Sequence, residues 1–191
     1  SDVERGVWWF DGLPHKAVTV DRLRRAPTVG HLTGETRKGE NINALMDLLP
    51  EGTVASLTLV VQPQDVLEER FNHLAKNAIG ENTESERVRE DSETAKRYLG
   101  EKHKLYRGSM TFYLKAPTVK VLNARQRDLT AVLLNAGLQP VKPEFDVAPL
   151  NGYLRALPMC FNPMHDKKHW YTRLTFVQHM ANLLPVFGRD T

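Results

Sequence analysis

The sequence predicts an α+β fold: a two-layer α/β sandwich, with a mixed or antiparallel sheet, helices on one face, and a ferredoxin-like arrangement as one form it can take. Three observations carry this. Residues 53–62, TVASLTLVVQ, are a β-branched and aliphatic run of strand length, closed by Pro63, which has no N–H to give to a ladder. Residues 106–114, YRGSMTFYL, alternate, with Tyr106, Gly108, Met110, Phe112 and Leu114 on one side. Around them lie segments with the 3.6-residue period of helices resting on a sheet. Because the two sides of the 53–62 run are not cleanly polar and apolar, it is read as a central strand covered on at least part of both faces, on which the rest is built.

A chain of 191 residues with 41% hydrophobic content can bury one core of ordinary size. A single domain is therefore expected, with a β-hairpin arm over 1–23, a surface loop over 24–41, an α/β core over 42–157 and an irregular tail over 158–191. The chain starts at Ser1 without methionine and stops at Gly188-Arg189-Asp190-Thr191, so both ends are expected to be cut from a longer protein.

In chain order, residues 6–10 (GVWWF) and 16–23 (KAVTVDRL) flank Asp11-Gly12-Leu13-Pro14, a link of hairpin character. Trp8 and Trp9 are adjacent, so a strand sends them to opposite faces and at most one joins a given core layer. Residues 24–41 combine Gly30, Gly34 and Gly39 with charge and no sustained period, which reads as a surface connection. Residues 43–49 offer one or two helical turns, ended by Pro50 and Gly52. After Pro63, Asp65 favours a helix start because its charge faces the positive end of the helix dipole. Leu67, Phe71, Leu74 and Ala78 then recur at helical spacing, and Gly80 ends the run.

Thr83-Glu84-Ser85-Glu86 has the form of a capping box, opening a second and exposed helix to about residue 103. Beyond the 106–114 strand, Asn123 is a candidate cap for a helix with Leu129, Val132, Leu133 and Ala136 on one face and Gly137 as terminator. Residues 138–141 read as a short strand, confined to an edge by Pro140 and Pro143. In the last third, 147–157 suits a short helix, 158–168 reads as loop, and 175–184 has helical spacing before Pro185.

Composition narrows the function. A net charge of +3, from 26 basic and 23 acidic residues, fits an ordinary solvated surface and does not require nucleic acid. The lone Cys160 cannot form an internal disulfide, which points to a reducing compartment, the cytoplasm. No apolar run approaches the roughly 18 to 20 residues that span a bilayer, so no transmembrane segment is expected. Cys160, His165 and His169 could offer three zinc ligands, but no second cysteine stands at a finger spacing. A small buried thiol and two surface histidines are the expected roles, and no metal is assigned. Paired carboxylates such as Glu68-Glu69 and Glu90-Asp91 fall on helical surfaces, where solvation explains them, so no catalytic residue is assigned. Residues 107–114 share some features with the RNA-recognition strand, but Ser109 and Met110 stand where an aromatic and a small residue belong. A core strand is the better account of Phe112 and Tyr113.

A family resemblance adds to this. Leu157-Pro158-Met159, Asn162-Pro163 and the closing run Ala181-Asn182-Leu183-Leu184-Pro185-Val186-Phe187-Gly188-Arg189 resemble the region preceding the nucleotide-binding domain of conjugative-transfer ATPases, the TraC/TrbE-type motors of type IV secretion systems. Leu48-Leu49-Pro50-Glu51-Gly52-Thr53 and Ala136-Gly137-Leu138 are similar to the amino-terminal domain of that group. The resemblance implies a hexameric parent ATPase, cytoplasmic and peripheral to the inner membrane, using ATP and Mg2+. Its Walker motifs would lie beyond Thr191. No Gly-x-x-x-x-Gly-Lys-Ser/Thr occurs in these residues, so no cofactor is expected within them and no ATP hydrolysis. The role implied is docking onto inner-membrane secretion subunits, neighbouring protomers, or both. Trp8, Trp9, Arg24, Arg25 and Trp170 are the interface candidates, because aromatic and arginine anchors dominate specific interfaces. The alternative reading is a nucleic-acid-binding α/β module that uses the sheet face and the basic loop; a zinc enzyme at Cys160 is a weaker third.

Overall fold

The computed structural model describes residues 6–38, 41–77, 97, 104–142, 146, 148–169 and 171–184. Strands β1 (Trp8–Phe10) and β2 (Leu13–Leu23) form the expected hairpin on a two-residue loop. Asp11 and Gly12 take φ of 49° and 73°. Positive φ at both central positions is the type I′ condition, which matches the twist of the flanking strands and sets Phe10 opposite Leu13. The hairpin is not an arm. Residues 15–19 of β2 pair with β6 (Leu105–Lys115), and residues 20–23 pair with β7 (Leu138–Pro140).

The strand that organises the sheet is β6, not the 53–62 run. β6 is antiparallel to β5 (Val54–Val60) along one edge, and to β2 and then β8 (Arg173–Phe176) along the other. Among the described residues β5 pairs only with β6, and its Val54 and Leu59 are 59% and 45% exposed. β-Branched content marks a strand without marking its place in the sheet. β6 instead carries Gly108, Ser109 and Thr111, narrow side chains that let material pack on both of its faces.

Taken across the sheet, the order β7-β2-β6-β5 is antiparallel throughout. These are the fourth, first, third and second strands of a split βαβ arrangement of ferredoxin-like type, with α2 (Val119–Asn135) making the crossover from β6 to β7. Between β2 and β5 a ribbon of β3 (Thr36–Lys38) and β4 (Asn41–Asn43) and a 3-10 turn at Met46–Leu48 stand in place of a helix. That connection is not all surface: Leu32 is buried in the core, with Leu45, Met46 and Leu49 packed against it. His31 also ties it down, its Nε2 lying 2.8 Å from the Ala136 carbonyl.

The main core joins Val18, Met110, Phe112 and Leu114 of the sheet to Leu122, Leu129 and Leu133 of α2 and to Met180 and Leu183 of α5 (Val177–Leu183). Each such side chain contributes about 1.5–3 kcal/mol on burial. α2 starts one turn before the expected cap. The Thr118 hydroxyl accepts from Val121 N–H at 3.3 Å, while Asn123 lies inside the helix and accepts from Lys16 Nζ at 2.6 Å. Gly137, at φ 82°, ends it as expected. α1 (Gln64–Asn77) follows Pro63 and buries Leu67; Ala78, Gly80, the 83–86 box and the helix expected to residue 103 lie outside the described residues, Arg97 excepted.

The opposite face of the sheet is covered too, by α3 (Pro149–Arg155) and α4 (Pro163–His169). Tyr113 Oη donates to the Tyr153 carbonyl and Ser56 Oγ to the Ala156 carbonyl, both at 2.7 Å. The α+β class and the antiparallel sheet hold, with this extra layer. The described residues 158–169 and 171–184 are correspondingly more regular than a tail. α4 lies in the expected loop, and β8 takes up the first residues of the expected helix.

Candidate functional site

Two sites stand out, both on the face covered by α3 and α4. The first is built by the hairpin. Alternation places Trp8 and Phe10 on the side where Tyr153 of α3 lies, with ring centroids 5.9 and 5.8 Å from the Tyr153 ring. Trp9 faces the other way and is 58% exposed. Phe10 and Leu13, at the hairpin tip, and Leu150 and Leu154, on α3, are exposed as well. Apolar side chains at a rigid two-residue turn form a surface that loses little conformational entropy on binding. Trp8 is the packed member of the pair, though its Nε1 is sealed from solvent without a hydrogen-bond partner among the described residues.

The second site is polar. Arg107, on β6, is buried and meets Asp166 of α4 at 2.6 Å. Asp166 also accepts from Thr172 twice, from its N–H at 2.9 Å and its hydroxyl at 2.8 Å. This locks α4 to the start of β8 and to the sheet. Burial holds the Arg107 pKa below its usual value, with Asp166 opposing the shift. Beside this lock lies a pocket of about 130 Å³, with Thr58, Ser109, Asn151, Arg155 and Tyr171 in its wall. The Arg155 guanidinium carbon sits 3.9 Å from the Tyr171 ring centroid. Neither the buried Arg107 nor the half-buried Arg155 is marked in the sequence, since only tertiary contact distinguishes either from a surface charge.

The predicted residues separate. Arg24 and Arg25 are exposed at the far end of β2, roughly 30 Å from Trp9 at the rise of an extended strand. Arg24 N–H donates to the Gly137 carbonyl, and the Arg25 guanidinium donates to the Asn135 carbonyl. They cap the end of α2 and do not join the tryptophans. Trp170 lies outside the described residues. Cys160 is exposed, against the expectation of a buried thiol, because it follows the loop residue Met159 with φ 66°. His165 and His169 lie one turn apart with their rings tilted at 57° and 4.5 Å between centroids, on a surface they share with Tyr171. Among the described residues no three His, Cys, Asp or Glu side chains converge as a metal site. Phe112 and Tyr113 are both buried, so neither presents a ring face to a nucleic-acid base. Among the described residues no helix is long and apolar enough to cross a membrane.

A family model described as TraC protein matches residues 1–161, most of the chain. The match spans the hairpin, the whole of the β7-β2-β6-β5 sheet and α3. A search of curated proteins finds no match.

Proposed function

The chain belongs to the TraC family of conjugative-transfer proteins, and from that premise we propose that it is the non-catalytic, amino-terminal assembly domain of a type IV secretion ATPase. It docks onto inner-membrane channel subunits and onto neighbouring protomers. ATP and Mg2+ are handled by a nucleotide-binding domain elsewhere in the parent protein, which sits at the cytoplasmic side of the inner membrane as an oligomer. The observation that supports docking is the hairpin: Phe10 and Leu13 are exposed at its two-residue turn, and Trp9, on the opposite face from α3, is 58% exposed. Aromatic anchors on rigid elements are what specific interfaces use.

Site-specific photo-crosslinking in the full protein, in cells carrying the transfer system, tests this. A crosslinker at Trp9 is expected to capture a channel subunit of the same system or a neighbouring copy, while one at exposed Glu68 on α1 captures neither. Equal capture from both positions, or none from Trp9, contradicts the docking role.

A further inference from the structure

Among the described residues Arg155 carries a charge with no ion-pair partner in contact with it. It is half-buried, its Nε is shut off from solvent, and among the described residues its guanidinium makes no hydrogen bond and no ion pair. Its close neighbour is the face of Tyr171. Burial pushes its pKa down, with Tyr171, Asp146 and Asp166 acting in the opposite sense and Arg173 adding to the depression. A cation partly withdrawn from water gains from charge-assisted hydrogen bonds. A group left without them points to a missing ligand.

The pocket beside Arg155 has the composition of a receiver. Thr58 and Ser109 are cross-strand partners on β5 and β6, and both line it. Neither hydroxyl, nor the Asn151 amide beside them, has a hydrogen-bond partner among the described residues. The acid in the wall, Asp166, is already committed to Arg107 and Thr172. The wall therefore offers spare donors and one spare positive charge.

We infer that this pocket binds a single carboxylate group, held by Arg155 with the Thr58 and Ser109 hydroxyls and the Asn151 amide as further donors. The planar guanidinium matches a carboxylate. Asp166 in the same wall disfavours a dianion such as phosphate. At about 130 Å³ the space holds a carboxylate and a short carbon stem. The carboxylate comes either from a free small acid or from an acidic side chain presented by a bound polypeptide.

Thermal melts and amide chemical shifts of the purified protein test the assignment, with sodium acetate titrated against sodium chloride at matched ionic strength. Sodium phosphate and a short blocked peptide holding one aspartate run in parallel. Acetate is expected to raise Tm saturably and to move the Thr58 and Ser109 amides, while chloride and phosphate do neither. R155Q should bind acetate about tenfold more weakly or worse. In chloride alone R155Q should melt at or above the wild-type temperature, because it removes an unbalanced charge; a purely structural arginine would give a loss in every buffer. Tighter binding of the peptide than of acetate assigns the carboxylate to a polypeptide, and the reverse assigns it to a free acid. No saturable acetate response in the wild type overturns the inference, whatever R155Q does. So does phosphate binding as tightly as acetate, or an R155Q response equal to wild type. None of these assays contains a secretion subunit, so their failure leaves the docking role untouched.

Discussion

The Arg107 guanidinium meets the Asp166 carboxylate at 2.6 Å with only 2% and 4% of the two side chains exposed, a buried ion pair joining the central strand to α4. Such a pair adds little over an apolar equivalent, but breaking it strands a charge. D166N is expected to lose about 3–5 kcal/mol, a large part of a typical domain's stability. The double variant R107M/D166L should be less destabilised than D166N alone. Urea unfolding of the two variants decides it, and a D166N midpoint equal to wild type would contradict the arrangement.

Tyr113 and Tyr153 titrate late. Burial pushes the Tyr113 hydroxyl up to about 12 and raises that of Tyr153. The unfolded chain loses this proton near 10, so between 10 and 12 the folded state holds more protons and stability falls as pH rises. Absorbance at alkaline pH should show a late tyrosinate step, coincident with unfolding, that Y113F reduces.

His179 works in the acid direction. Burial on α5 lowers its pKa from 6.5. The unfolded chain takes up this proton first, so stability is full above about 6.5 and is lost as pH falls through the folded value. H179Q should flatten the dependence of Tm on pH across that window, and an unchanged slope would show that His179 is not its source.

The two tryptophans should part company in stability. W8A removes a ring packed on Tyr153 and is expected to cost about 3–5 kcal/mol. W9A removes an exposed ring and should stay within about 0.5 kcal/mol of wild type. Thermal melts of both variants check this.

The legible parts of the fold are those whose signal is local. Asp11-Gly12 between two apolar runs dictates a tight hairpin, and the alternation from Tyr106 to Leu114 gives β6 within a residue at each end. Leu129, Leu133 and Gly137 place most of α2. Its start was readable in principle, since Leu122 continues the same stripe and brings Thr118 to the cap; Asn123 is an equally good cap chemically. Pairing was not legible, because a short segment such as β8 becomes a strand only by lying against Leu105 to Gly108. α4 lacked an apolar stripe: its buried residue is Asp166, held by an ion pair rather than by periodicity. The exposed hairpin could be read from its adjacent tryptophans, whereas the Arg155 pocket depends on several distant segments meeting and leaves no local mark.

Transfer frequency in mating assays is the most direct test of the docking role. W9E in the full protein should keep the fold, because Trp9 is 58% exposed, and it places a charge on the hairpin surface. At wild-type protein level and melting temperature, W9E is expected to lower DNA transfer by about tenfold or more, as loss of an interface anchor does. Wild-type transfer from that variant would contradict the assignment of the hairpin as the docking surface.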